Sequence, residues 1–271
     1  MSYNLIAGFF KEYNLGFLAF LFTYAILGLG LHMFFSYFYL KREQGWIRLF
    51  GFLLPYYFYL FIFWDLIQIR YSAGISFLLF GLFSKKNIPR VIFFLLAFVF
   101  HNSMILPILL YCVFSVINKE RLRLLMVPLI ALISLIGLEF TRYAVKYDES
   151  VTDWDKLNLL GGNCLMLYTL VIALFYFKKN VNEKYKEQVY KLIYITAVLT
   201  LLIVILNFDF PAIANRLLAL AIFFAFLCHG FIRRRSNLIF FLLLAIVFSA
   251  WNFNIIVLDP RSFFNTQWSY S

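Results

Sequence analysis

The side chains able to do chemistry in this sequence are few. Arg70 stands between two apolar stretches. His101, Asn102 and Ser103 interrupt a long apolar run from Val91 to Ile117. Asn215 and Arg216 follow Pro211 near the start of another. A charged group at the centre of a bilayer costs about 2.5–3.5 kcal/mol on insertion scales, so each asks for a reason. Arg70 has two readings. It is an interfacial cation that snorkels beside Asp65, or a planar fork for phosphate or diphosphate oxygens. Arg216 lies in the first turns of its helix, where free amides and the helix dipole already attract anions. It is a snorkelling arginine or part of an anion site. His101 is a neutral hydrogen-bonding group between helices, or a general base or substrate contact, since imidazole titrates near neutrality. Ser103 and Asn215 are polar neighbours able to orient His101 and Arg216, and Asn102 is a further candidate contact. The expectation is that His101 and Arg216 line one outward-opening cavity.

Other polar residues carry blander accounts. His32 and His229 lie in apolar helices without such polar company, which predicts core packing or interfacial contact. Asp148, Glu149, Asp153 and Asp155 share one polar loop, where solvation explains acidic residues before catalysis does. Glu139 and Arg142 are spaced to pair on one helical turn; Arg142 is also a candidate substrate contact. Cys112, Cys164 and Cys228 are isolated and apolar in context, so they predict neither a zinc site nor a disulfide framework. There is no phosphate-binding glycine loop, no HExxH and no GxSxG. The spacing of Arg90 and His101 resembles a pattern in membrane acyltransferases that modify sugars, but two residues make a weak match.

The elements that position these residues follow from composition. Of 271 residues, 64% are hydrophobic and only 14% charged. An ordinary soluble domain carries about 25% charged residues. Apolar runs of about 20 residues, the length that crosses hydrocarbon as a helix, recur throughout. The alternating segments of a membrane barrel are absent. The predicted fold is an all-α polytopic bundle of about eight or nine spans, in a single membrane domain over 1–271. Expected spans are Leu15–Leu40, Leu49–Ile69, Arg70–Phe83, Leu124–Leu138, Asn163–Phe177, Leu192–Leu206, the helix of Arg216, and Leu238–Leu258. One sizeable polar loop covers roughly 139–160. No basic leader precedes a short apolar core at the N-terminus, which predicts no removable signal peptide.

The net charge of +11, from 24 Lys and Arg against 13 Asp and Glu, is concentrated in short links. That is the pattern of positive-inside topology and not of a nucleic-acid face. Lys178–Lys191 and Arg233–Arg235 are assigned to the cytoplasm, which puts the 139–160 loop and the Asn207–Pro211 turn outside. Lys41–Arg48, Lys85–Arg90 and Lys119–Arg123 are also assigned inside, and Arg70 near the outside. Two inside links then flank 91–117. The preferred reading is a re-entrant hairpin with His101, Asn102 and Ser103 near its tip, lining a cavity; otherwise one basic link is on the wrong side.

Three stretches together resemble a known family. They are Ile69-Arg70-Tyr71-Ser72-Ala73-Gly74-Ile75-Ser76, then Lys85-Lys86, then Leu96-Ala97-Phe98-Val99-Phe100-His101-Asn102-Ser103. Their order and spacing are similar to the central signature of the EpsG/Wzy-type polysaccharide polymerases. Ile213-Ala214-Asn215-Arg216 resembles the family's late arginine-bearing helix. The family's further N-terminal spans and its outer-loop Gly-Thr-Asp…Tyr group have no counterpart, so the chain reads either as a shortened member or as one whose Met1 is a late start in a longer gene. The resemblance implies a multi-pass glycosyltransferase of the bacterial inner membrane. It would polymerise undecaprenyl-diphosphate-linked repeat units into O-antigen or capsular polysaccharide, without metal, cofactor or nucleotide sugar. A chain-length regulator is an implied partner beside the lipid bilayer. The rival readings are a membrane acyltransferase and a non-enzymatic lipid or solute transporter; the latter more often shows internal repeats, and none is visible.

The charge bias generates a first prediction. With the native cysteines replaced, Asp153→Cys is labelled by an impermeant thiol reagent on intact cells and Lys184→Cys is not. Labelling at position 184 without labelling at 153 inverts the topology and overturns the assignment.

Overall fold

The computed structural model describes residues 2–14, 16–61, 69–139 and 156–258. Among the described residues every regular element is helical, apart from one isolated bridge between Val181 and Ile232. Four helices are long and apolar enough to cross a membrane: Phe17–Lys41, Glu183–Leu206, Pro211–Gly230 and Arg235–Ile255. Three shorter apolar helices, Ile69–Phe83, Asn87–Phe100 and Asn102–Val116, accompany them. The chain is therefore an all-α membrane protein. We label the helices α1 (Ser2–Glu12), α2 (Phe17–Lys41), α3 (Trp46–Pro55), α4 (Ile69–Phe83), α5 (Asn87–Phe100), α6 (Ile105–Val116), α7 (Glu120–Glu139), α8 (Gly162–Phe177), α9 (Lys186–Leu206), α10 (Pro211–Gly230) and α11 (Arg235–Leu258). Two compact units result: Met1–Ile108 with Leu242–Ser271, and Leu109–Phe241.

The first unit is built on the α4–α5 pair. Gly74 lies against His101 and Ala97, and Gly81 against Phe94, so the two helices run antiparallel. Their shared register depends on those glycines. A Cβ at Gly81 would come within 2.5 Å of the Phe94 ring, and one at Gly74 within 3.2 Å of the His101 Cβ. Missing side chains let helix backbones approach closely in membranes, where packing replaces the hydrophobic drive between helices. Helix α2 packs on α4 and contains two π-helical stretches, Ile26–Gly30 and Ser36–Lys41; a third, Tyr56–Leu60, extends α3. The end of α11 belongs here too, with Phe248 against Tyr59 at 5.1 Å between ring centroids.

The second unit is organised around α10. Every residue from Leu217 to Ile232 is buried, as α8 and α9 pack along it. The expected Leu192–Leu206 span starts earlier than its apolar run, at Lys186. The reason is electrostatic. Glu187 accepts from Arg123 at 2.8 Å and pairs with Lys191 at 3.4 Å, so the charged first turn is fastened to α7. Backbone bonds from Arg233 to Asn180 and from Asn182 to Phe231 join the two basic links at that end. His229 is buried, as packing predicts, with Nε2 3.1 Å from the Leu170 carbonyl and Nδ1 2.7 Å from Asn237 Oδ1.

The glycine register is testable as stability. Gly81→Leu should overpack α4 against α5 and cost about 1–3 kcal/mol, read as a lower unfolding temperature in detergent. Gly137→Leu should leave that temperature unchanged, because nothing lies within 4 Å of its Cβ position. Equal effects at both glycines would remove the packing account.

Candidate functional site

Helix α5 ends at Phe100, and His101 takes extended backbone angles, φ −150° and ψ 119°. A single 3-10 turn, Asn102–Met104, follows before α6 begins. The expected 91–117 segment is thus two short helices broken at the polar group. His101 is the residue that makes the break affordable in hydrocarbon, because its side chain caps the new turn. Its Nδ1 accepts the Ser103 backbone N–H at 3.3 Å and lies 2.6 Å from Ser103 Oγ. A ring nitrogen that accepts from a backbone N–H presents its lone pair there, and the neutral ring then carries its proton on Nε2. The Ser103 hydroxyl accordingly donates to Nδ1. That leaves the serine oxygen as an acceptor whose own proton has an outlet.

The α4 helix brings Arg70 to the same place. Tyr71, the next residue, lies edge-on to the His101 ring, with centroids 5.0 Å apart and an interplanar angle of 84°. Because α4 and α5 are antiparallel and joined through Ser84–Lys86, Arg70 and His101 occupy the same end of the pair. Helix α5 rises about 21 Å over its length at 1.5 Å per residue. Both groups therefore lie about 21 Å along the helix pair from the basic link at its other end. Arg70, His101 and Ser103 are each half-buried, and Asn102 is exposed. A half-buried guanidinium beside a polar chain break suits an anion better than a neutral solute. Asp65, the expected neighbour of Arg70, lies outside the described residues.

Below this end the first unit has a polar interior that the sequence reading assigned to packing. His32 Nδ1 lies 3.2 Å from Tyr56 Oη and 3.1 Å from Ser76 Oγ. The Ser76 hydroxyl donates to the Gly28 carbonyl at 2.9 Å, so His32 Nδ1–H is the donor to both oxygens. Gly28 lies in a π-helical stretch, and such stretches recur at functional sites. Ser72 and Ser36 are buried in the same unit. The signal for this cluster was available. Single polar residues in three different apolar runs need partners, and in a bilayer those partners are usually one another.

In the second unit Arg216 lies in the second turn of α10, half-buried. Asn215 Nδ2 donates to the Pro211 carbonyl at 3.3 Å, so its amide is used inside its own helix. A residue not singled out before governs the preceding turn. Asn207 Oδ1 accepts from the Leu157 N–H at 2.7 Å while its Nδ2 donates to the Leu157 carbonyl at 2.9 Å. This two-point clasp ties the end of the polar loop to the turn before α10. Arg142 and the acidic residues Asp148, Glu149, Asp153 and Asp155 lie outside the described residues. Among the described residues no three His, Cys, Asp or Glu side chains converge as metal ligands.

The chain matches the EpsG family over residues 1–269, and it belongs to that family. Membership makes it a membrane protein of polysaccharide biosynthesis, of polymerase-like type. No curated protein and no solved structure matches it.

The short His101–Ser103 contact predicts that the two residues act as one unit. Ser103→Ala and His101→Ala should each lower turnover by about 10²–10⁴, the range for a lost acid–base group. The double variant should be no worse than either single one, and Ser103→Thr should restore most of the rate. Multiplicative losses in the double variant would show that the residues work independently.

Proposed function

We propose that this chain is a glycosyltransferase that joins undecaprenyl-diphosphate-linked oligosaccharide units into O-antigen or capsular polysaccharide at the outer face of the bacterial inner membrane. The observation that carries the reading is the Arg70–Tyr71 turn set against the His101–Ser103 break at one end of the α4–α5 pair. It puts Arg70 and His101 at the same end of one helix pair, which supports a diphosphate fork and a proton acceptor working together.

In this reaction a sugar hydroxyl of the acceptor unit attacks the anomeric carbon of the donor glycan. The bond from that carbon to the diphosphate oxygen breaks, and the diphosphate leaves with the electron pair. Arg70 neutralises its growing charge through two parallel N–H donors, which a planar guanidinium provides and an ammonium does not. The acceptor proton passes to Ser103 Oγ as the serine proton moves to His101 Nδ1. The resulting imidazolium is a cation at the place where a leaving diphosphate needs one. Asn102, exposed beside them, is a sugar contact. Arg216 and Asn215, in the second unit, and Arg142 in the polar loop are further outward groups for substrate.

The same reading gives the membrane arrangement. Helices α5 and α6 are each too short to cross hydrocarbon alone, at about 21 and 18 Å. As arms of a re-entrant hairpin they would rise from the Lys85–Arg90 link and return to Lys119. Within the second unit Phe114 meets Tyr194 at 5.6 Å, and Arg123 Nε donates to the Ile117 carbonyl at 2.6 Å, which fixes the end of α6 beside the basic end of α9. With that hairpin the bundle has about eight or nine membrane elements. A chain-length regulator is a fitting partner for such an enzyme.

Deletion of the gene should leave surface lipid capped with single repeat units. Normal chain length with acetyl groups missing would identify an acyltransferase instead. In the deletion background Arg70→Lys should insert normally yet restore less than about a tenth of wild-type polymer, since the bidentate contact is lost. Full chain length with lysine, where alanine fails, would show that charge alone suffices.

A further inference from the structure

The second unit holds a cavity of about 550 Å³ at its basic end, lined by none of the groups given a chemical role above. Lys119, Glu120, Arg121, Leu124, Lys178 and Tyr194 line it. Three cations face one carboxylate. That carboxylate is already engaged, since Glu120 accepts from Lys178 at 2.6 Å. Lys178 also lies over the Phe175 ring at 4.9 Å and 3.5 Å from Tyr194 Oη. Burial pulls the Lys178 ammonium down, but the Glu120 bond and the Tyr194 oxygen outweigh it and hold its pKa above the ordinary lysine value. The floor of the cavity is therefore a fixed cation with aromatic walls, while Lys119 and Arg121 stand exposed at its rim.

The rim opens onto an apolar track. Leu124 and Leu125 are exposed, and α7 continues that face through Leu129, Leu132, Ile133 and Ile136. A soluble anion has no use for such a track, whereas a lipid needs both a cationic head site and an apolar path for its chains. The charge bias assigns this end to the cytoplasmic face, where anionic lipids are recognised by clustered Lys and Arg.

We propose that this cavity binds the phosphate headgroup of an anionic membrane phospholipid, with its acyl chains lying along the exposed face of α7. The rim cations Lys119 and Arg121 clamp the phosphate, Lys178 and Tyr194 form the floor, and Leu124 marks where headgroup gives way to chain. The ion pairs Arg123–Glu187 and Glu120–Lys178 hold α7 and the start of α9 in place around it. The bound lipid would cement the basic ends of α7, α8 and α9.

The test uses the full chain in phosphatidylcholine nanodiscs with a small fraction of phosphatidylglycerol. Native mass spectrometry reads how many phosphatidylglycerol molecules survive delipidation. The wild type should retain one, and its unfolding temperature should rise with phosphatidylglycerol. Lys119→Gln with Arg121→Gln should weaken retention about thirty-fold, since each surface cation near lipid phosphate is worth roughly fivefold. The variant's unfolding temperature in pure phosphatidylcholine should be unchanged, which separates binding from folding. Retention equal to wild type in the double variant overturns the site. Inorganic phosphate that stabilises as well as phosphatidylglycerol, and displaces it, overturns the lipid assignment in favour of a soluble anion. Polymer length is not the readout, so failure here is distinct from failure of the polymerase reading.

Discussion

Hydrocarbon offers no water to a stranded donor or acceptor, and the rest of this structure depends on that constraint. A helix satisfies its own backbone, so apolar runs become helices. Wherever the chain departs from regular helix, a side chain must complete the missing bonds. The break after Phe100 is stabilised by His101, which accepts the Ser103 N–H. The π-helical stretch at Ile26–Gly30 has its Gly28 carbonyl engaged by Ser76. The turn before α10 has Asn207 clasping Leu157 at two points. Each irregularity is thus held by one residue whose type is dictated by the bond it must make.

This explains what the sequence made legible. Helix positions were readable because run length and composition alone decide whether a segment partitions into a bilayer. The expected Leu15–Leu40, Arg70–Phe83 and Asn163–Phe177 spans agree closely with Phe17–Lys41, Ile69–Phe83 and Gly162–Phe177. The interruption at His101 was readable for the same reason: three polar residues in a row break the apolar run. The EpsG signature around Arg70 and His101 was readable because its residues are rare types in an apolar background, and the family match extends over nearly the whole chain.

What was not legible is partnership. His32 looked isolated because Ser76 and Tyr56, which complete it, lie far along the chain and are common residues. Only the packing of α2 on α4 and on the extension of α3 brings them within 3.2 Å. Asn207 gave no signal, because a lone asparagine in a turn has many uses. Asn215 was expected to orient Arg216, but its amide bonds Pro211, four residues back, as helix geometry favours. The π-helical stretches have no reliable composition signature at all. They arise from how α2 and α3 fit their neighbours, which a linear pattern does not encode.

The His101–Ser103 pair shows why such partnership decides chemistry. By residue type alone, histidine at this depth is a base with either nitrogen available. The cap changes that. Nδ1 faces the Ser103 N–H and hydroxyl, so in the neutral ring it is the basic atom, and Nε2 is a donor. Tyr71, packed edge-on to the ring, limits its turning. Gly74 permits this arrangement because any larger residue there would press on the His101 Cβ. The glycine that sets the helix register therefore also sets how closely the His101 side chain lies against α4.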